Sequence, residues 1–232
     1  LRNKGASGII IGDRSGPADT REVLMDKGVL DLAKELDIEV LAFDEMPLNR
    51  YHKVTVGGGH WPNGFLFVNI ANEVEAVVGL CCLKTHMYGG HFTMSLKLAT
   101  GMVHRQNMAE LHSSSKMREK IAEMNLAYRP RFMLVDGVEA FYRGGPMTGD
   151  IWQAGVTLGS DDRVALDAVG VAVLKAHGTT REIEDRAVFR QDQIRRAAEL
   201  GLGAKRPEDI ELVPVNERAE SFIERLEYML RR

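Results

Sequence analysis

The chain has 232 residues, 44% of them hydrophobic and 27% charged, the balance of an ordinary globular protein. A net charge of −3 and a pI near 6.2 give no electrostatic reason to expect nucleic acid or an anionic membrane as a partner. No apolar run is long enough to span a bilayer. The length suits one α/β domain over residues 1–232. Because the first residue is Leu1 and not Met, an N-terminal portion is expected to be missing.

Ser7 to Asp13 reads as a buried strand, and Asp19 with Glu22 three residues on reads as a helix cap. The helical pattern from Val23 to Leu36 is broken or bent at Gly28, and Ile38 to Phe43 is the next strand. This strand–helix–strand unit predicts a parallel pair. The segment Gly12 to Gly16 lacks the dinucleotide fingerprint, which argues against a nicotinamide site. Tyr51 to Val56 and Phe65 to Val68 predict an antiparallel edge ribbon around a Gly-rich loop, Gly57 to Gly64, expected to be mobile. The whole predicts a Rossmann-like three-layer fold: a mainly parallel sheet with helices on both faces.

The apolar run Ala76 to Leu83 predicts a buried strand. Its only cysteines, Cys81 and Cys82, are adjacent and point to opposite faces, so they are not expected to pair. They suit a reducing, cytoplasmic setting, and no spacing for an iron–sulfur cluster is present. After this strand the composition changes to Lys84-Thr85-His86, then Gly89-Gly90-His91, and a helical pattern from Thr93 carries Lys97 and ends near Arg105. A strand-to-helix junction of this kind is where open α/β sheets hold ligands. The expected donors for a small anion are Lys84, Thr85, Gly89, Gly90, Lys97 and Arg105, aided by the helix N-terminus. His86 and His91 are the candidate general acid and base.

Ser113 to Ser115 precede a polar helix, Met117 to Leu126. Strand Phe132 to Val135 leads into a second charged, Gly-rich segment. There Asp136 and Glu139 would orient a histidine or hold a metal, and Arg143, Gly144 and Gly145 would add to anion binding. Any divalent ion would use His86, Asp136 and Asp161, although two histidines five apart in a glycine loop are not a helical ligand pair. Ser160-Asp161-Asp162 starts a helix that is apolar nearly all round and hence buried. Asp167 inside it pairs with Arg163 one turn earlier or points at the site. Residues 210–213 predict a last edge strand, and Asn216 caps a C-terminal helix.

Several of these segments together resemble DUF362, a bacterial and archaeal family of unknown function. They are Leu83 to His86, Lys97 with Gly101, Asp136 to Ala140 with Gly145-Pro146 and Gly149, Ser160 to Val169, and Gly201 to Gly203, in family order. Family members often carry a ferredoxin-type iron–sulfur domain, which this chain lacks. They usually show Lys-Asn, where this chain has Lys97-Leu98. The resemblance implies no reaction. Two functions therefore compete: an enzyme acting on a small carboxylate or phosphate by His/carboxylate acid–base chemistry, and a non-catalytic module partnering a ferredoxin-type protein. A cleft lined by these groups favours the first and a flat apolar patch the second.

Overall fold

A computed structural model describes residues 1–232 as a mixed α/β fold. Strands β1 (Ile10–Asp13) and β2 (Glu39–Ala42) form a parallel pair joined by helices α1 (Thr20–Asp26) and α2 (Val29–Glu35). Gly28, at φ 70°, separates these helices, and the Asp19 carboxylate caps α1 by accepting from Glu22 N at 2.9 Å. Strands β3 (Tyr51–Val54) and β4 (Phe65–Val68) pair antiparallel, as the sequence predicts, but they form a two-stranded sheet of their own and not an edge of the main sheet; the single turn α3 (Ile70–Glu73) follows. The hairpin's Gly-rich loop is anchored, contrary to expectation. His60 N and Nδ1 both bond the fully buried Glu123, and Trp61 Nε1 donates to Lys120 O.

The central sheet has five strands: β5 (Val78–His86), β6 (His91–Thr93), β7 (Phe132–Gly144), β8 (Gly149–Trp152) and β9 (Val156–Ser160). Only β5 and β7 run parallel; β6, β8 and β9 all pair antiparallel to their neighbours. The sheet is thus mixed, not mainly parallel. The cause lies in two short turns, Met87 to Gly90 and Gly145 to Thr148, which fold the chain straight back where crossovers were expected. Residues 210–213 make no strand.

The remaining helices are α4 (Ser95–Leu98), α5 (Met108–Ser113), α6 (Met117–Met124), α7 (Arg163–His177), α8 (Arg181–Glu184), α9 (Asp192–Glu199) and α10 (Glu217–Leu230). The core lies where α7 packs with α4 and α10 against one face of the sheet, through Leu83, Met133 and Val135. A second apolar cluster fills the space between β3–β4, α5 and α6. The opposite sheet face is bare: Val78, Leu80, Phe132, Leu134 and Val138 are exposed, Leu80 at 68%. Helices therefore cover one face and not both.

The helix α7 is buried as its sequence demands. Its N-cap is Asp162, whose Oδ1 accepts from Val164 N at 2.7 Å and Ala165 N at 2.9 Å, while Oδ2 accepts from Ala204 N at 2.7 Å. A side chain at position 203 would overlap that carboxylate, which accounts for Gly203.

Candidate functional site

Strand β5 runs on to His86, and the four residues Met87 to Gly90 turn the chain into β6. The turn uses φ of 82° at Gly89 and 60° at His91. His86 and His91 are thus directly opposed cross-strand partners, a relation that puts their side chains on one face. They line a cavity of about 410 Å³ with Met87, Gly89, Gly144, Thr180 and Glu182. The second glycine segment closes it from β7: Met87 N donates to Gly145 O at 3.1 Å, and a side chain at 145 would strike Thr85 O. Arg118 on α6 holds the turn by donating to Gly89 O at 2.9 Å.

The centre of the site is a nitrogen pair. Lys97 Nζ lies 2.9 Å from His86 Nε2 and makes no ion pair with any carboxylate. Burial, then Lys97, Lys84 and His112, pulls the His86 imidazole down to about 3, so it is neutral near pH 7. A neutral ring accepting at Nε2 carries its hydrogen on Nδ1. That Nδ1 is buried and has no protein partner, and the same holds for Nδ1 of His91. The His91 imidazole is also lowered, first by burial and then by Arg118 and Arg186. Burial and then Lys84 bring the Lys97 ammonium down to about 8. Gly90 completes the packing: a Cβ there would come within 3.1 Å of His86 Nδ1 and 3.3 Å of Lys97 Cε.

Lys97 is held in place from α7. The fully buried Asp167 accepts from Ser95 N at 2.8 Å, Ser95 Oγ at 2.5 Å and Leu96 N at 3.3 Å, and from Gln193 Nε2 at 3.1 Å. It therefore caps the single-turn helix that carries Lys97. Both sequence readings of Asp167 are corrected: it neither pairs with Arg163 nor faces the cavity. Arg163 instead donates to Asn125 Oδ1 at 3.0 Å and Tyr128 O at 3.2 Å. The expected anion-attracting helix N-terminus is likewise corrected. The helix is four residues long, and its free N–H groups already serve Asp167.

Of the predicted residues, the fold gathers His86, His91, Gly89, Gly90, Lys97, Gly144 and Gly145, with Thr85 bonded to Phe141 O behind them. Lys84 acts on both His86 and Lys97 through its charge. The others lie elsewhere. Asp136 pairs with Cys82 on the bare sheet face, four residues before His86 and about 13 Å down the strand. Glu139 is exposed and bonds Gln153. Arg105 is exposed in the turn after α4, and Arg143 lies over the Tyr142 ring at 5.4 Å. His86, Asp136 and Asp161 do not converge, and no three metal-ligating side chains cluster anywhere in the chain. Thr180 and Glu182 were missed by the sequence reading because nothing local distinguishes them from a solvated helix start.

The comparisons with known proteins agree with the motifs. The profile of the family described as Domain of unknown function (DUF362) matches residues 1–172, and the chain belongs to that family. It is similar to the thylakoid-associated protein sll1697 of Synechocystis sp. (strain ATCC 27184 / PCC 6803 / Kazusa), 27% identical over 180 residues, which covers 73% of this chain. The match covers 52% of the relative, so this chain spans about half of that protein's length. No solved structure matches. No helix is long and apolar enough to cross a membrane.

Proposed function

We propose that the chain is an enzyme acting on a small carboxylate or phosphate bound beside His86. One observation carries this reading: Lys97 is a largely buried cation whose one polar partner is a neutral imidazole. An unpaired buried charge is unfavourable by several kcal/mol, roughly, and an incoming anion relieves it. His86 would donate Nδ1–H to a ligand oxygen, with Lys97 fixing the tautomer. His91 would move protons, and Glu182, at the cavity rim, would be the carboxylate of the acid–base pair in place of Asp136 and Glu139. The two free thiols, Cys81 and Cys82, support a cytoplasmic setting.

The test is thermal unfolding with phosphate or succinate against chloride at matched ionic strength. The parent should be stabilised by the anion and Lys97→Ala should not respond. Equal responses from both proteins would remove Lys97 from the site.

A second reading, an accessory module for a ferredoxin-type protein, is favoured by the bare apolar sheet face. Here Leu80→Glu should abolish co-elution with such a protein on gel filtration. Unchanged elution of parent and variant would dismiss this reading.

A further inference from the structure

We propose that Lys97 is a nucleophile that forms a Schiff base with the carbonyl of a small 2-oxo carboxylate. The inference rests on the cavity being a site for a small anion, and names the class of that anion.

Three features of the geometry lead there. First, Lys97 lacks the carboxylate partner that a structural lysine uses; Lys120, also buried, has Glu110 at 2.6 Å. Second, its neighbour is an acceptor nitrogen. An amine that donates one N–H to His86 Nε2, 2.9 Å away, keeps its lone pair free for attack and is oriented by the bond. Third, the helix under it is fixed by the buried Asp167 cap, and the glycine at position 90 leaves Cε uncrowded. The charged or titratable groups acting on Lys97 are Lys84 and His86 from β5; Asp167 on α7 is bound to the helix N-terminus. With the ammonium brought down from 10.5 to about 8, the neutral amine at pH 7 is more abundant than in an ordinary lysine by about two orders of magnitude. A second lysine beside the first is a recognised way to keep an amine unprotonated.

The step balances without an oxidant or reductant. The neutral Nζ attacks the carbonyl carbon, and a C–N bond forms as the C=O π bond opens to oxygen. The proton lost from nitrogen goes to that oxygen. The hydroxyl, with one further proton from solvent, leaves as water, giving a protonated imine that draws electrons from the adjacent C–C and C–H bonds. The ligand's carboxylate replaces the missing counter-ion, with Lys84 and the His86 Nδ1–H as its partners.

The experiment treats the whole chain with pyruvate and sodium cyanoborohydride, then reads intact mass and a peptide map. The expected result is one covalent adduct on Lys97, half-maximal in rate near pH 8. Lys97→Arg, which keeps the cation, should lower the yield at least about tenfold, while Lys205→Arg at the surface should leave it unchanged. No adduct, or labelling spread over surface lysines or placed on Lys84, overturns the proposal. The peptide map of the parent decides the matter even if Lys97→Arg fails to fold. Thermal unfolding with propionate, which has the carboxylate but no carbonyl, separates the two readings. Stabilisation by propionate and pyruvate without an adduct defeats the Schiff base and leaves the anion site standing. No stabilisation and no adduct defeats both.

Discussion

Two lysines, one against each half of α7, meet opposite fates. Lys175, near the C-terminal end, donates to Glu184 O at 3.2 Å, Arg186 O at 2.8 Å and Arg232 O at 3.2 Å. Its three donors fasten α8, the following turn and the end of α10 to the core. Lys97 sits on the helix that Asp167 of α7 caps, and has a single imidazole. Three carbonyls dissipate an ammonium charge; one neutral nitrogen does not. Satisfied donors mark Lys175 as part of the scaffold, while the unsatisfied environment of Lys97 marks a place that something else completes.

The sharpest break in that comparison is made at Asp167. Asp167→Ala strips the acceptor from Ser95 N, Ser95 Oγ, Leu96 N and Gln193 Nε2, all within the core. Loss of about 3–5 kcal/mol in urea unfolding is expected. The pH dependence is a separate signature. Burial raises this carboxyl to about 6 from 3.8, so between these values the folded state holds a proton that the unfolded state has lost. Stability from this group is therefore greatest below pH 4 and falls as pH rises to 6, by about 3 kcal/mol. Asp167→Asn should flatten that window relative to the parent; a parent profile already flat there refutes the buried-carboxylate account.

Lys175→Met comes next. It leaves three carbonyls short of a donor, and about 2 kcal/mol of destabilisation is expected. Because Lys175 fastens α8, whose Glu182 lines the cavity, the comparison is made on the ligand-free protein, by urea unfolding. An unfolding midpoint unchanged by Lys175→Met would show that its three bonds hold nothing together, and the contrast between the lysines would be false.

What the sequence made legible follows from how local each feature is. The helix α7 is a run of small apolar residues, and its burial could be read directly. So could the Asp19 and Asn216 caps, where each side chain serves an N–H three residues away. The helix α6 is polar, as its sequence reads, yet it is buried, which nothing local announces, because its charges find partners elsewhere: Glu123 meets His60 and Arg196, and Lys120 meets Glu110. In the site, the abrupt change from apolar strand to Lys84, His86 and Gly89-Gly90 pointed to the right end of β5. The partner carboxylates were wrong because β7 continues well past Asp136, which leaves that side chain on the bare face, beside Cys82. The clamp on Lys97 comes from 70 residues further along, and no local pattern announces such a contact.

Lys97→Met should act in the opposite direction to Lys175→Met. The folded protein disfavours the ammonium, lowering it to about 8 from 10.5. Between these values the unfolded state binds the extra proton, so the penalty is full below pH 8 and disappears as pH rises toward 10.5. Removing the charge should therefore stabilise the ligand-free protein at pH 7 by about 1–2 kcal/mol, while the gain from phosphate is lost. Destabilisation by Lys97→Met would place this lysine in the same class as Lys175.

The smallest effect is the most local and concerns one hydrogen atom. If Lys97 donates to His86 Nε2, the ring hydrogen sits on Nδ1, which is buried and has no protein partner. Nitrogen-detected NMR of labelled histidine should show His86 in that tautomer, with no titration between pH 5 and 9, since its imidazole is pulled down to about 3. The linked stability change lies lower. The unfolded ring gains a proton near 6.5 and the folded ring does not, so stability falls as pH drops below that value. Lys97→Met removes both the donor and its charge. The ring should then be free to exchange tautomers, and its titration should move upward toward neutrality because one of the cations opposing protonation is gone. An Nε2–H tautomer in the parent, or a His86 signal indifferent to Lys97→Met, would show that the two nitrogens do not form the pair on which the site is built. Addition of phosphate makes the final distinction. A ligand oxygen accepting from Nδ1–H should shift that resonance in the parent, whereas a phosphate held by surface lysines alone would leave it where it was.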